Sequence, residues 1–176
     1  MALLKRKIDA YLSEWKSNPE RLPLIVKGAR QIGKTVSIEN FAKSHYKSVV
    51  PINFALQKQF RSIFDDGFDV DKIIRNISLI NPDFEFIPND TLIFFDEFQA
   101  CANRATSLKA FKLDGRYDVI CSGSLMGINY HEIESNSVDL SGILMPFEAD
   151  VSMNFKSAEK VKVYGSSALE YMNLAA

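Results

Sequence analysis

An α/β fold, with a parallel sheet flanked by helices, is predicted by three features of this sequence. The first is Gly28-Ala29-Arg30-Gln31-Ile32-Gly33-Lys34-Thr35, which spells G-x-x-x-x-G-K-[ST]. It sits between a short apolar run, Leu24-Ile25-Val26, and a helical pattern of Val36, Ile38, Phe41 and Ala42. A glycine loop between a buried strand and a helix is the setting of a phosphate-binding turn. The second is Leu92-Ile93-Phe94-Phe95-Asp96-Glu97, an apolar strand that ends in two carboxylates. The third is the alternation of strand-like and helix-like stretches, which argues for parallel strands joined by right-handed crossovers.

The elements follow in order. Leu4, Ile8, Tyr11, Leu12 and Trp15 share one face of an amphipathic helix, while Lys5, Lys7, Glu14 and Lys16 lie elsewhere, and Asn18-Pro19 ends it. Such a helix is expected to dock on the core rather than serve a partner. A strand over Leu24 to Lys27, the glycine loop and a helix reaching Tyr46 come next. Ser48 to Phe54 reads as a second strand. Between Gln57 and Leu79 the pattern is helical in two pieces, Phe60/Ile63/Phe64 and Val70/Ile73/Ile74/Ile77, broken at Asp65-Asp66-Gly67. Asn81-Pro82 and Pro88-Asn89-Asp90 bracket a loop carrying Phe84 and Phe86. A third strand covers Thr91 to Phe95, a helix covers Arg104 to Lys112, and a fourth strand covers Asp118 to Cys121. There is no internal repeat and no low-complexity linker.

A chain of 176 residues suits one domain, and this length buries roughly 70% of the unfolded surface. It is 47% hydrophobic and 24% charged with a formal net charge of −1, the composition of a soluble globular protein. That balance gives no electrostatic footprint for general nucleic-acid or membrane binding. Met1 to Lys7 turns charged before a signal peptide could develop. No apolar run approaches the ~20 residues that span a bilayer. Cys101 and Cys121 are isolated, without metal-ligand spacing, so a reduced cytoplasmic setting is expected. His45 and His131 are isolated too, and neither is given a role.

The chemistry sits in the two motifs. Gly28 and Gly33 let the backbone curl so that successive N–H groups can point at phosphate oxygens. The nucleotide-binding stretch is read as Gly28, Ala29, Arg30, Gln31, Ile32, Gly33, Lys34, Thr35 and Val36. Lys34 is placed to put its charge between the β- and γ-phosphates, and the Thr35 hydroxyl to ligate Mg²⁺. Asp96 is the second expected Mg²⁺ ligand, through water or with Thr35. Glu97 is placed to orient the attacking water or accept its proton. Both carboxylates are expected at the strand edge where open α/β sheets bind ligands. An intervening strand, Ser48 to Phe54, fits the additional-strand branch of phosphate-loop proteins. A third element is Ile120-Cys121-Ser122-Gly123-Ser124 at the end of strand four. Ser124 is favoured there to touch the γ-phosphate or the water, with Ser122 as the alternative. A plain serine-glycine turn is the bland reading of both.

Together these residues resemble the AAA-type ATPases of bacteria and archaea that carry a DUF4143 region at the C-terminus. The resemblance rests on Glu14-Trp15-Lys16, Lys27 to Thr35, Ile52-Asn53-Phe54, Phe95-Asp96-Glu97-Phe98-Gln99, and Ser107-Leu108-Lys109 to Phe111. It continues through Gly123-Ser124-Leu125-Met126-Gly127 to Glu134-Ser135-Asn136-Ser137-Val138, so it spans about residues 3–138. It implies an AAA-like core with Gly28 to Thr35 as Walker A, Asp96 and Glu97 as Walker B, and the Ser122 to Ser124 turn as sensor 1. In this division residues 1–20 are a helix packed on the core, 21–138 the ATP-binding core, and 139–176 a divergent or truncated tail. The lid and nuclease-like region of the family are expected to be missing, and with them a sensor-2 arginine. Ala168 to Met172 is a faint echo of what usually follows.

The implied function is binding of Mg·ATP and slow hydrolysis to ADP and phosphate. The alternative is a nucleotide-gated switch or adaptor that binds ATP with little turnover. A protein partner or self-association would supply an arginine finger, for which Arg104 and Arg116 are candidates only by default. Nucleic acid enters through the family's nuclease-like region alone. A GTPase is disfavoured because no N-K-x-D motif follows the phosphate loop.

Overall fold

The computed structural model describes residues 7–29, 31–101, 104–123, 140–145 and 151–155. The centre of the sheet forms from stretches that are apolar on both faces, Leu24-Ile25-Val26, Leu92 to Phe95 and Val119 to Cys121. Strand β1 (Leu24–Gly28), β2 (Ser48–Asn53), β3 (Thr91–Asp96) and β4 (Asp118–Gly123) are those foreseen from sequence. Two strands that the sequence pattern does not announce follow, β5 (Leu140–Met145) and β6 (Val151–Phe155). The six-stranded order is β2-β3-β4-β1-β5-β6, parallel throughout except for the antiparallel β5–β6 pair. The strand that separates β1 from β3 in space is therefore β4. Ser48–Asn53 intervenes only in sequence, and lies at the sheet edge. Its early place in the chain hides this, because crossovers let chain order and sheet order differ.

Helices cover the two faces. On one side lie α1 (Lys7–Ser17) and α2 (Lys34–His45), and on the other α3 (Val70–Ile80) and α4 (Arg104–Asp114). Alternate residues of β1, β3 and β4 feed opposite cores, as a period of two requires. Leu24, Val26, Leu92, Phe94 and Ile120 meet Ile8, Leu12 and Trp15 of α1 and Ile38, Phe41 and Ala42 of α2. Ile25, Ile93, Phe95, Val119 and Cys121 meet Ile73 and Ile77 of α3 and Leu108 and Phe111 of α4. Burial on both sides explains why β1, β3 and β4 read as apolar runs. The first helical piece of the sequence pattern, Lys58–Phe64, is a 3-10 helix, and the second is α3, capped by Asp69, whose side chain accepts from the Lys72 N–H at 3.1 Å. Among the described residues, no helix is long and apolar enough to cross a membrane.

An aromatic cluster lies under the end of β3. Phe95 is stacked on Phe98 (centroids 5.6 Å apart, planes within 6°) and packs near Phe54 at 5.4 Å, Phe64 at 6.0 Å and Phe111 at 6.1 Å. Truncating such a ring costs about 3–5 kcal/mol, so the backbone that leads into Asp96 is firmly seated. One edge of the sheet is β2. Ser48 and Phe54 donate their N–H groups toward β3, to the carbonyls of Asp90 (3.2 Å) and Asp96 (3.1 Å), and Pro51 lies between them in exposed backbone.

At the opposite end of the strands from Asp96, Asp118 ties three elements together. It accepts from Arg21 Nε (2.7 Å), Tyr46 Oη (2.7 Å) and Lys16 Nζ (3.3 Å), and the Lys16 ammonium also lies 3.6 Å from the centre of the Tyr46 ring. Burial, reinforced by the Asp118 charge, pushes the Tyr46 hydroxyl far above its ordinary range, so it stays a donor. Removing the acceptor strands three donors at once. Asp118→Ala is expected to lower unfolding stability by about 2–4 kcal/mol, read as a reduced urea midpoint with an unchanged slope.

Candidate functional site

Strand register assembles the site. β2 pairs with β3 so that Asn53 lies beside Asp96, and β3 pairs with β4 so that Phe95 lies beside Cys121, which puts Ser122 next to Asp96 on the other side. The chain leaves β1 at Gly28 and re-enters as α2 at Lys34, whose next residue, Thr35, reaches the same carboxylate.

Asp96 collects four donors. Its Oδ2 accepts from Thr35 Oγ1 (3.2 Å) and Asn53 Nδ2 (3.0 Å), and its Oδ1 accepts from Ser122 Oγ and from the Glu97 N–H (3.0 Å). A carboxylate offers about four lone-pair sites. Its side chain is buried at 9% exposure, and burying that charge is tolerable because each site has a partner. Asn53 does more than donate. Its Oδ1 accepts from the N–H groups of Ala55 and Leu56, both at 3.0 Å, so it joins the loop after β2 to Asp96.

The glycine loop is shaped by left-handed residues. Gln31 has φ 64° and Gly33 φ 82°, the second at no steric cost. Lys34 Nζ donates to the carbonyls of Gly28 (3.0 Å) and Ala29 (2.7 Å), which folds the ammonium back over the loop. The N-cap of α2 is Gly33, which brings no side-chain cap, and this end carries the positive pole of the helix. Glu97 is also left-handed, at φ 50°, a conformation that costs a non-glycine residue about 1–3 kcal/mol. The buried Phe98 ring beside it holds the turn, and Glu97 Oε2 accepts from Gln99 Nε2.

These groups surround a cleft of about 590 Å³, lined by Gln31, Gly33, Lys34, Thr35, Val36, Asn53, Ala55, Leu56, Asp96 and Glu97. Its size falls in the range of small-ligand sites. Lined by a lysine, N–H donors and two carboxylates, it suits an anion carried together with a hard cation. The neighbouring Thr35 hydroxyl and Asp96 carboxylate fit Mg²⁺, which takes one or two protein oxygens and fills its octahedron with water and phosphate. Among the described residues, no group of three or more His, Cys, Asp or Glu could hold a metal ion by itself.

The family described as AAA domain matches residues 20–148. The chain belongs to this family. The match takes in both motifs and every strand from β1 to β5, and extends past residue 138, where the sequence resemblance fades. Membership in this family supports nucleotide binding. Among solved structures, this AAA domain is similar to PCH-2 of C. elegans at 15% identity and a TM-score of 0.47, over 81% of this chain and 41% of that one. The chain thus spans about two fifths of that protein. It is also similar to the flagellar accessory protein FlaH from Methanocaldococcus jannaschii (12% identity, TM-score 0.44, 88% of this chain and 86% of that one). A further likeness is to the genome packaging NTPase B204 from Sulfolobus turreted icosahedral virus 2 in complex with AMPPCP (14%, TM-score 0.42, 73% and 76%). No curated protein matches the sequence.

Of the residues singled out in sequence, Gln31, Gly33, Lys34, Thr35, Val36, Asp96 and Glu97 meet at the cleft, and Gly28 and Ala29 hold the lysine. The Ile32 side chain packs toward the α1–α2 core instead. Arg30 and Ser124 lie outside the described residues, as does the side chain of Arg104. Ser122 is buried and donates to Asp96. Arg116 lies just before β4, at the end of the strands opposite the cleft, and is held by Asp114 (2.6 Å) and Asp71 (2.7 Å). That contact draws the Asp114 carboxyl below its ordinary range. Cys121, one residue before Ser122, is fully buried and its thiol is pushed well up, so no thiolate is available there.

Sequence reasoning gave no role to Asn53 or Gln99. A polar residue closing an otherwise apolar strand was the available signal for Asn53, the same signal that singled out Asp96. Replacing Asn53 by Ala removes the acceptor for two amides. The Ala55 and Leu56 N–H groups are then expected to exchange with solvent ~10-fold faster or more, measured by hydrogen exchange in the folded protein.

Proposed function

We propose that this AAA domain binds ATP with Mg²⁺ and hydrolyses it to ADP and phosphate, slowly in isolation. The observation that carries the reading is the convergence of Lys34, Thr35, Asp96 and Glu97 on one cleft at the start of a helix. Phosphoryl transfer needs positioning and charge stabilisation more than covalent chemistry, and this cleft offers both. The loop from Gly28 to Val36 cradles the phosphates with backbone N–H groups. Lys34 moves its ammonium from the loop carbonyls to the β- and γ-phosphate oxygens. Thr35 and Asp96 would hold Mg²⁺, which would supply charge neutralisation to the phosphates.

Glu97 orients the water. The water oxygen bonds to the γ-phosphorus as the bond from that phosphorus to the β–γ bridging oxygen breaks, and ADP leaves with the electron pair. Glu97 receives the water proton and passes it to the phosphate product. Ser124, immediately beyond β4, is proposed to touch the γ-phosphate or the water, while Ser122 steadies Asp96. An arginine from a protein partner or a second copy would add ~10³–10⁵ in rate, and its lack in the isolated chain accounts for slow turnover.

Two variants test this. Lys34→Ala is expected to abolish measurable Mg·ATP affinity by fluorescence titration, and unchanged affinity would remove the phosphate-loop assignment. Glu97→Gln is expected to bind Mg·ATP as the wild type does but lose ~10²-fold or more in single-turnover hydrolysis. Equal rates in the two proteins would instead favour a switch that binds nucleotide with little turnover.

A further inference from the structure

We propose that Gln99 is a positioning residue for Glu97, and that its side-chain amide sets the carboxylate that orients the attacking water. This rests on the hydrolysis reading above. Gln99 Nε2 donates to Glu97 Oε2, and Glu97 lines the cleft. With Oε2 engaged, Oε1 is the oxygen left to accept from water.

The pairing depends on the unusual turn. Residues two apart do not face one another on a regular helix. Here Glu97 is left-handed, at φ 50°, and directly precedes a 3-10 helix, Phe98–Ala100, so the two side chains come together. The turn is fixed at both ends of this short stretch. Ala100 N–H donates to the Glu97 carbonyl (2.9 Å), Cys101 N–H donates to the Phe98 carbonyl (3.1 Å), and the Phe98 ring lies flat on Phe95. Both partners therefore ride on one rigid piece of backbone, seated in the aromatic cluster.

The residue type fits the task. A general base works best when a third group holds it in place. A lysine or arginine there would neutralise the carboxylate and weaken it as an acceptor, and another carboxylate would repel it. A neutral amide donor orients without doing either. Without it, Glu97 keeps its side-chain rotamer freedom, and the attack geometry is sampled only part of the time.

The test compares wild type, Gln99→Ala, the isosteric Gln99→Glu, Glu97→Gln, and the double variant Glu97→Gln with Gln99→Ala, each checked for a wild-type melting temperature. Gln99→Ala is expected to lower the single-turnover rate of Mg·ATP hydrolysis ~10-fold or more, with the dissociation constant for Mg·ATP within about twofold of wild type. Gln99→Glu is expected to lose at least as much. The double variant is expected to be no slower than Glu97→Gln alone, because Gln99 acts through Glu97. A wild-type rate in Gln99→Ala, or a double variant whose loss is the product of the two single losses, would overturn the proposal while leaving the hydrolysis reading intact. A wild-type protein that binds Mg·ATP and never hydrolyses it would overturn both.

Discussion

Two carboxylate oxygens at the end of β3 draw donors from β2, α2, β4 and the next peptide group, and most of the site follows from satisfying them. Asn53 and Ser122 reach Asp96 only in the observed register, since a shift of one residue along a strand turns its side chain to the other face. Thr35 reaches it only if α2 begins where the glycine loop ends. A buried charge that loses one donor costs more than the lost bond is worth. Sheet register and site geometry are therefore one constraint, and a misaligned sheet would be unstable before it was inactive.

The opposite end of the sheet shows the same device. Asp118 gathers Lys16, Arg21 and Tyr46 just as Asp96 gathers Thr35, Asn53 and Ser122. The first carboxylate ties α1, the segment before β1 and the end of α2 to β4, and the second ties the start of α2 and both neighbouring strands to β3. Between them lies an apolar middle in which alternate residues serve two separate cores. Phe95 shows how tightly the layers are joined to the chemistry. It belongs to the aromatic cluster on the α3–α4 side, and the next two residues carry the carboxylates of the cleft.

Much of this was legible in the sequence. The glycine loop, the apolar strand ending at Asp96-Glu97 and the fourth strand each carry a pattern dictated by burial on two faces or by a required turn, and those are local properties. What was not legible is relational. That β4 rather than β2 separates β1 from β3 depends on crossovers, which leave no mark on the strands themselves. Asn53 looks like an ordinary polar strand end until its neighbour is known. Glu97 and Gln99 meet only because Glu97 adopts a left-handed backbone that no glycine announces. β5, with Ser141 and Gly142 inside it, lacks the continuous apolar run that marks β1 and β3, so periodicity could not find it.

Pro51 sets where the sheet stops. Ser48 and Phe54 send their N–H groups inward to β3, so with alternating direction along a strand the odd-numbered positions of β2 face outward. Pro51 has no N–H to offer on that side, and the outward N–H of Asn53 is already taken by Gln57 Oε1 at 2.9 Å. An arriving strand would find only one open donor on this edge, that of Val49, before the chain turns. Self-templated growth of the sheet, the common route from a native edge to aggregate, is disfavoured at the border that runs alongside the cleft.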